Sequence, residues 1–455
     1  AGGWLCLEDW FFSGSAGQRV MSVDGEGQGR CLPPNVQGPT DTPWPSEGIL
    51  VQRLNATLGP EQTLRAFAAH RATFIQVRDL EYMAGLGIKT VRIPLTWSAF
   101  ADALKPVNAA VYGSFDPNQD SVIVPDPYYV EEVAQVTIPR DLLVMMLYIA
   151  NHLGLKLLFD VHNHPGGQAH GTYNGVYPLQ PVFWSEKTKI GTENIRLAEA
   201  GRLIAEKMVQ WVESLDESLI QAVAGLTFMN EPAHMNAIGE DTFLVKDEEI
   251  LGWLSATADI FRKSSLPERG VRLYVNVVET AFHKYGCAFV PGADCGFDAL
   301  VPAWWMKDFS AEERMQWAVI DLHRYDAFSE GACDGRRSSG GRYKCSDSLE
   351  DMQDVWHGSC IEPWAQRFLE AFPDSLRAAS EFSGATHWDP RQACIDRKTV
   401  EAYIAAQANV MRVRWIEAIF WTWRMPNGNN FEASWSLKSI AGMEGAERHP
   451  CRVDA

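Results

Sequence analysis

Eight short apolar runs, most of them followed by a loop and a helical pattern, constrain the fold of this chain more than any other feature. They lie at 2–7, 90–95, 156–161, 223–229, 271–277, 319–322, 376–381 and 416–421. Nearly continuous apolar residues over so few positions are typical of parallel strands covered on both faces. Helical spacing predicts helices at 73–86, 140–153, 194–212, 249–261, 349–372 and 398–413. The alternation predicts an α/β fold, a (β/α)8 TIM barrel, as one domain over residues 1–455.

The loops of the predicted barrel are long. A barrel of this type needs about 250 residues, so roughly 200 remain for loops. The longest stretches are 13–60, 101–137, 163–192, 279–309 and 326–348, and each follows a predicted strand. They therefore belong to the C-terminal face, where the active sites of such barrels form. A doubly wound sheet is the alternative, but no strand is followed by the phosphate-binding GxGxxG turn.

Charge and hydropathy exclude several classes of partner. The chain has 40 Lys and Arg against 58 Asp and Glu, a net charge of −18, which disfavours nucleic acids and anionic lipid surfaces. No apolar run reaches the roughly 20 residues that a membrane span requires. We expect no nucleic-acid partner, no membrane span and a monomer. The 17 Trp residues are compatible with sugar binding, since flat aromatic faces stack on sugar rings, although large cores also use Trp.

Nine cysteines are an odd number, and none stands in a CxxC or zinc-site spacing. The nearest pairs along the sequence are Cys287 with Cys295, Cys333 with Cys345, and Cys360 with Cys394. We expect two or three disulfides in a secreted or lumenal protein whose signal peptide has been removed. Reduced, buried thiols in a cytosolic protein are the alternative.

Polar residues stand where the predicted strands end. A charged side chain at the end of a buried strand is costly unless it faces a cleft. Singly, each has an ordinary explanation, such as an acid at a helix N-terminus or a cap of a turn. Together they predict one site at the mouth of the barrel. The residues are Arg92, His162, Asn230, Glu231, His323, Tyr325, Glu381 and Trp421.

Glu231 and Glu381 are the candidate catalysts. Two carboxylates that project from two strand ends into one mouth can divide an acid–base task. Arg92 and the Tyr325 hydroxyl would keep Glu381 anionic for attack on carbon, and burial beside that charge would raise the pKa of Glu231. This is the machinery of glycoside hydrolysis, and it requires no metal and no cofactor.

Four motifs in this arrangement resemble glycoside hydrolase family 5, in clan A of retaining β-glycosidases, and most of all its fungal exo-β-1,3-glucanase branch. GGWLCLEDW at 2–10 resembles that branch's GGWLxLExW, and LEYMAGLGIKTVRIP at 80–94 resembles its second βα unit. DVHNHPGGQ at 160–168 is similar to its DLHGAPGSQ, and FWTW at 420–423 to its FWSW.

The resemblance implies a role for each residue of the site. Glu231 would be the acid/base and Glu381 the nucleophile, with Arg92 and Tyr325 supporting Glu381 and His323 orienting Glu231. The other implied roles concern the sugar: Asn230 on its 2-hydroxyl, His162 and Glu8 on other hydroxyls of the terminal glucose, Trp421 as a stacking floor, Phe328 and Tyr173 as aromatic clamps on the next sugar, and Asn174 in place of an Asp that contacts glucose.

The resulting hypothesis is a retaining β-glycoside hydrolase that cleaves β-glucan, most of all β-1,3-linked glucan. Glucosylceramide or another β-glucoside, and transglycosylation, are alternatives within the same site. An amidohydrolase with zinc on His162 and His164 is a remote alternative, since that class carries its HxH on the first strand. A carbohydrate-binding barrel without activity is another. Trp304 and Trp305 would either extend the sugar track or pack internally.

Overall fold

The computed structural model describes residues 1–8, 11, 44–169, 171–191, 194–232, 245–279, 297–329, 331–425 and 431–443. Its centre is a curled sheet of seven parallel strands that pair in chain order, so that the two edge strands come into contact. The predicted (β/α)8 fold is confirmed. The strands are β1 (Thr90–Leu95), β2 (Lys156–Val161), β3 (Val223–Thr227), β4 (Arg272–Glu279), β5 (Ala318–Arg324), β6 (Leu376–Phe382) and β7 (Ile416–Phe420).

The first predicted strand, at 2–7, is wrong: these residues form turns and bends. Gly3 has a φ of 74°, a left-handed conformation that interrupts an extended strand. The segment is nevertheless buried and lies between the edge strands. The backbone nitrogen of Ala1 donates to the Arg92 carbonyl oxygen in β1 at 2.7 Å, and that of Gly2 donates to the Thr422 hydroxyl, just after β7, at 2.9 Å.

Helices cover the outside of the sheet. The longer ones are Glu47–Leu58, Pro60–Thr73, Val77–Gly85, Arg140–His152, Leu197–Glu213, Asp247–Arg262, Phe297–Asp308, Ala311–Gln316, Leu349–Val355, Glu362–Ala371 and Arg397–Val413. Short helical turns occur at Trp97–Leu104, Ala109–Tyr112, Thr172–Asn174, Glu217–Ile220, Asp326–Phe328, Glu432–Trp435 and Leu437–Ile440. Two small sheets pair Ile123–Pro125 with Ala134–Val136, and Gly335–Arg336 with Tyr343–Lys344. None of the helices in the described ranges is both long and apolar enough to cross a bilayer.

Two predicted helices differ from those observed. The helix predicted from 73 begins at Val77, because Gln76 and Asp79 form a capping box that starts a new helix there. The helix predicted over 349–372 is interrupted by a π-helical stretch, Trp356–Ile361, which precedes Pro363. Proline lacks the N–H that a continuous α-helix needs at this point.

The helix Leu197–Glu213 illustrates how the layers pack. Its inner face buries Ile204, Met208 and Trp211, and the Trp211 ring lies 5.4 Å from that of Phe159 in β2. Each large apolar side chain buried in this way contributes about 1.5–3 kcal/mol. The helices therefore hold the strands, and with them the residues at the strand ends, in a fixed arrangement.

The predicted cysteine pairs 333–345 and 360–394 are wrong. The structure pairs Cys333 with Cys360 and Cys345 with Cys394. Closeness along the chain misled the prediction, because the loops after β5 and β6 are joined in space, with Gly335 donating to the Thr386 carbonyl oxygen at 2.8 Å. Cys6 is buried with a free thiol, and the predicted pair Cys287–Cys295 lies outside the described residues.

Disulfide mapping tests this pairing. Digestion without reduction should release linked peptides containing Cys333 with Cys360 and Cys345 with Cys394. Replacing Cys345 and Cys394 by Ser opens a loop with a sequence separation of 49 residues. This should lower the free energy of unfolding by about 4 kcal/mol, measured by chemical denaturation. The matched control is Cys6→Ser, which opens no loop. A peptide linking Cys333 to Cys345 would contradict the structure.

Candidate active site

The residues predicted to form the site lie together at the carboxyl ends of the strands. Arg92 is in β1, His323 in β5 and Glu381 in β6. His162, Tyr325 and Trp421 directly follow β2, β5 and β7, and Asn230 and Glu231 come a few residues after β3. All eight of the strand-end residues predicted from the sequence are buried. Their clustering follows from the parallel sheet, since parallel strands bring their carboxyl ends to one rim.

Glu231 and Glu381 face one another across His323. One carboxylate oxygen of each Glu and one ring nitrogen of His323 all lie within 4.8 Å of one another. Nδ1 of His323 is 2.6 Å from Oε1 of Glu231 and 3.4 Å from Oε2 of Glu381. Both carboxylates are nearly buried, with 6% and 5% of each residue exposed. Two negative charges so close in a buried place repel, so the arrangement favours one protonated and one ionised group.

Arg92 and Tyr325 hold the Glu381 carboxylate from two sides. Arg92 Nη1 forms an ion pair with Oε1, and the Tyr325 hydroxyl donates to Oε2 at 2.5 Å. The second guanidinium nitrogen contacts Asp160 at 2.9 Å and donates to Oδ1 of Asn230 at 2.7 Å. Burial alone would lower the pKa of Arg92, but the charges of Asp160 and Glu381 outweigh it and raise that pKa. Glu381 therefore stands beside a permanent cation.

Glu231 has an unusual backbone. Its φ is 47°, in the left-handed region that a residue other than glycine rarely adopts, and Pro232 follows. Its N–H donates to Oδ1 of Asn276, from β4, at 2.8 Å. Such a conformation costs on the order of 1–3 kcal/mol and persists only where neighbours hold it. Here it turns the carboxylate toward His323.

His162 is held by two acids. Its Nδ1 lies 2.6 Å from Oδ2 of Asp160, and its Nε2 lies 3.7 Å from Oε1 of Glu8. Burial would lower the pKa of His162, but the charge and hydrogen bond of Asp160, with those of Glu8, raise it to about 10. The ring is an imidazolium at neutral pH. It lies nearly parallel to Trp421, with centroids 5.6 Å apart, and Tyr173 meets its edge at 5.5 Å.

Trp421 is placed by the glycine at position 2. A Cβ on Gly2 would lie 2.6 Å from the indole, so only glycine allows this approach. The Arg92 guanidinium lies over the same ring, 5.6 Å from its centroid. The start of the described chain thus packs directly against the proposed sugar floor.

The three loop residues of the prediction differ in their surroundings. Asn174 uses both ends of its amide within the loop: Nδ2 donates to the Ala169 carbonyl oxygen at 2.7 Å, and Oδ1 accepts from Val176 and Tyr177. Tyr173 is buried, whereas Phe328 is 40% exposed. The Phe328 ring stands perpendicular to that of Tyr325, with centroids 5.9 Å apart, which places it at the rim of the site.

The two histidines of the HxH sequence do not converge. His164 Nε2 lies 2.8 Å from the Phe228 carbonyl oxygen, and its ring packs on Phe183 and Trp253. Burial lowers the pKa of His164 to about 4, so it is neutral. In the described ranges, neither His162 nor His164 belongs to a group of three His, Cys, Asp or Glu side chains whose ligand atoms all lie within 4.8 Å of one another. Nothing in this geometry supports the zinc amidohydrolase alternative.

Trp304 and Trp305 lie away from the carboxylates. They belong to the helix Phe297–Asp308, and the Trp305 indole donates to Ser375, which precedes β6 at the amino end of the sheet. Trp304 donates to Ser255 of a neighbouring helix. Of the two alternatives, the geometry favours internal packing.

Several polar residues of the site were not predicted. Asp160 and Asp321 each stand two residues before a site histidine, on the same face of β2 and β5. Asn276 in β4 and Ser380 in β6 contact Asp321, and Gln168 donates to the carbonyl oxygens of His162 and Asn230. The available sequence signal was the Asp-x-His pattern, which occurs at 160–162 and at 321–323 and places a charged residue within a buried strand both times.

No model of a known protein family matches the chain. Among curated proteins it is similar to a probable glucan 1,3-beta-glucosidase A of Aspergillus fumigatus, with 21% identity over 208 residues, which are 46% of this chain and 41% of that protein. A protein of the same name from Neosartorya fischeri gives the same identity and coverage. The matched region therefore spans less than half of the length of these relatives.

Among solved structures, the chain is similar to the crystal structure of a rutinosidase from Aspergillus niger. The two share 14% identity and a TM-score of 0.53, over 97% of this chain and 94% of that one. At this identity the likeness concerns the fold, and it agrees with the (β/α)8 barrel described above.

The charge of His162 predicts a pH dependence of stability. The pKa of His162 in the folded protein is about 10, above the ordinary value of 6.5. The stability that its charge contributes is therefore fully present below pH 6.5 and is lost as the pH rises through about 10. His162→Gln leaves Asp160 without this partner and should cost about 3–5 kcal/mol at pH 6.

The measurement is the free energy of unfolding from pH 6 to pH 10 for the wild type, His162→Gln and the control His152→Gln, whose side chain is exposed. The gap between the wild type and His162→Gln should shrink as the pH rises. A constant gap would show that His162 does not carry the charge.

Proposed function

We propose that this protein is a retaining β-glycoside hydrolase that acts on β-glucan, most of all on β-1,3-linked glucan from the chain end. The observation that carries this proposal is the approach of the Glu231 and Glu381 oxygens to within 4.8 Å in a buried, hydrogen-bonded setting. Retaining glycosidases keep their two carboxyl groups about 5–5.5 Å apart, whereas inverting enzymes keep them about 6.5–9.5 Å apart to admit a water.

The reaction runs in two displacements. First, a Glu381 oxygen attacks the anomeric carbon, the bond to the leaving oxygen breaks, and the proton of Glu231 passes to that oxygen. Next, water attacks the same carbon, Glu231 takes a proton from it, and the bond to Glu381 breaks. Two inversions give net retention. When the Glu381 carboxylate is released, Arg92 balances its charge and the Tyr325 hydroxyl donates a hydrogen bond to it.

The polar residues around the carboxylates support a terminal glucose as the bound sugar. The carboxylate of Glu8 and the imidazolium of His162 offer an acceptor and a donor at one end of the site, 3.7 Å apart. Asn230, fixed by Arg92, stands beside the carboxylates and is suited to the 2-hydroxyl. Trp421 supplies an apolar surface for the ring, and aromatic faces suit the C–H faces of sugars. Phe328, at the rim, is suited to the next sugar.

The preference for β-1,3 linkages rests on the sequence motifs and on the names of the curated relatives, which are probable glucan 1,3-beta-glucosidases. We also propose that the protein works outside the cytosol. The two disulfides support this location, since such bonds persist in oxidising compartments.

Replacing either catalyst tests the mechanism. Glu381→Gln should lower turnover of an aryl β-glucoside by about 10⁴-fold or more. Glu231→Gln should lose about 10²–10⁴-fold on a poor leaving group and much less on 2,4-dinitrophenyl β-glucoside, which needs little acid assistance. The matched control is Glu417→Gln, a carboxylate of β7 that contacts Thr90 at the amino end of the barrel. Equal losses in all three variants, or an inactive wild type, would contradict the proposal and favour a binding protein.

A product profile tests the substrate. Laminari-oligosaccharides should release glucose one unit at a time from the chain end, and NMR should show the β-anomer first. Faster turnover of cello-oligosaccharides or glucosylceramide would move the proposal to those β-glucosides, and products longer than the substrate would indicate transglycosylation. Initial release of the α-anomer would contradict retention.

A further inference from the structure

A closed ring of hydrogen bonds lies behind the proposed acid. Oε1 of Glu231 lies 2.6 Å from Nδ1 of His323, and Nε2 of His323 lies 3.1 Å from the Ser380 hydroxyl oxygen. That hydroxyl lies 2.6 Å from Oδ2 of Asp321, which accepts from Asn276 Nδ2 at 3.2 Å. Asn276 Oδ1 accepts the N–H of Glu231 at 2.8 Å and closes the ring. Only the first of these contacts, through which His323 would orient Glu231, belongs to the predicted site.

The chemistry of the ring fixes the direction of its hydrogen bonds. Asp321 also accepts the backbone N–H of Ser380 at 2.9 Å, so three donors converge on its carboxylate. An ionised carboxylate only accepts, so the Ser380 hydroxyl donates to Asp321. Its oxygen is then left to accept from His323, which requires the histidine proton on Nε2.

With that proton fixed, the 2.6 Å contact between Nδ1 of His323 and Glu231 holds a single proton. If the proton instead stood on Nδ1 with Nε2 bare, His323 would donate to an ionised Glu231, which has no proton to deliver.

We propose that Asp321 and Ser380 are positioning residues that keep the His323 proton on Nε2, so that Nδ1 holds the acid proton on Glu231. This inference rests on the proposed role of Glu231. It adds two residues that touch neither substrate nor carboxylate pair but set the state of the acid.

The charges around His323 come from five strands. Glu381 in β6 and Glu231 after β3 favour its charged form, and Arg92 in β1 opposes it. Burial would lower the pKa of His323, but the two acids raise it. The proton between Nδ1 and Glu231 is therefore shared by the two groups, while Nε2 keeps its own proton in either case. Asp160 in β2 also faces this centre, and Asp321 lies below it in β5. Burial raises the pKa of Asp321 against the pull of His323, Arg92 and Ser380, so this arrangement is lost as the pH falls.

Asp321→Asn reverses the ring. When the new amide oxygen accepts the Ser380 N–H, its NH₂ group takes the place of Oδ2. That group donates to the Ser380 hydroxyl oxygen, Asn276 Nδ2 loses its acceptor there, and the hydroxyl proton turns to His323 Nε2. The histidine proton then moves to Nδ1 and stabilises ionised Glu231. The alkaline limb of the pH profile of kcat/KM should shift to lower pH by about one unit, because Glu231 would lose its proton more easily. Activity on phenyl β-glucoside should fall about 10- to 100-fold, with less than about threefold loss on the 2,4-dinitrophenyl substrate.

Ser380→Ala removes the link and should shift the limb in the same direction by a smaller amount. It also serves if Asp321→Asn does not fold, which thermal melting shows. The matched control is Asp126→Asn, another fully buried Asp, which accepts from the backbone of Tyr128, Tyr129 and Gly166. It should lose stability without a shift of the limb. Unchanged profiles in both ring variants would overturn the inference.

A measurement independent of activity separates the two proposals. In ¹⁵N-histidine-labelled protein, with His323 assigned through His323→Gln, long-range ¹H–¹⁵N spectra at pH 6–7 should show Nε2 protonated in the wild type and bare in Asp321→Asn. If no β-glucoside is hydrolysed but this change is seen, the proposed function fails and the ring stands. If the wild type is active and Nε2 is bare, the ring assignment fails.

Discussion

The charge of Arg92 is the interaction on which the rest of the site depends. Its guanidinium is 1% exposed, and a cation so deeply buried is tolerated only where anions and acceptors surround it. Asp160, Asn230 and Glu381 do so, and they come from or directly follow three other strands. Arg92 therefore ties four strand ends together. Removing either anion, Asp160 or Glu381, would leave a buried cation partly unbalanced.

The interior of the barrel carries two separate polar systems, each built on an Asp-x-His pair. In β2, Asp160 supports His162 and Arg92, and this system faces Glu381. In β5, Asp321 lies below His323 and is linked to it through Ser380, and this system faces Glu231. The first brings permanent positive charge to one carboxylate, while the second brings a neutral or shared-proton partner to the other. Two chemically identical side chains can thereby differ in protonation although they lie within 4.8 Å.

The sequence predicted the features that follow from the spacing of apolar residues and from the polar residues at the ends of strands. Seven of the eight strands, and the clustering of Arg92, His323 and Glu381, follow from buried parallel strands that share a rim. The strand predicted at 2–7 is wrong because its apolar residues are buried in turns and bends, with Gly3 in the left-handed region. The cysteine pairs escaped because pairing depends on which loops meet in space. Asp321 carried a signal in its Asp-x-His pattern, but its link to His323 passes through Ser380 of the adjacent strand, and the sequence does not show that contact.

The loops after β5 and β6, at the rim of the candidate site, are anchored more firmly than their length suggests. The loop after β5 carries Phe328, and Trp388 from the loop after β6 donates to the Ala327 carbonyl oxygen at 3.0 Å. The disulfide between Cys345 and Cys394 joins the same two loops, and Cys333–Cys360 ties the first to the π-helical stretch. Glu381 lies at the end of the strand that leads into the second of these loops, so an aromatic side chain at the rim keeps its place relative to that carboxylate. Under the proposed function, substitutions within these anchored loops would alter which sugar binds, while the charges around Arg92, on the strands, would stay as they are.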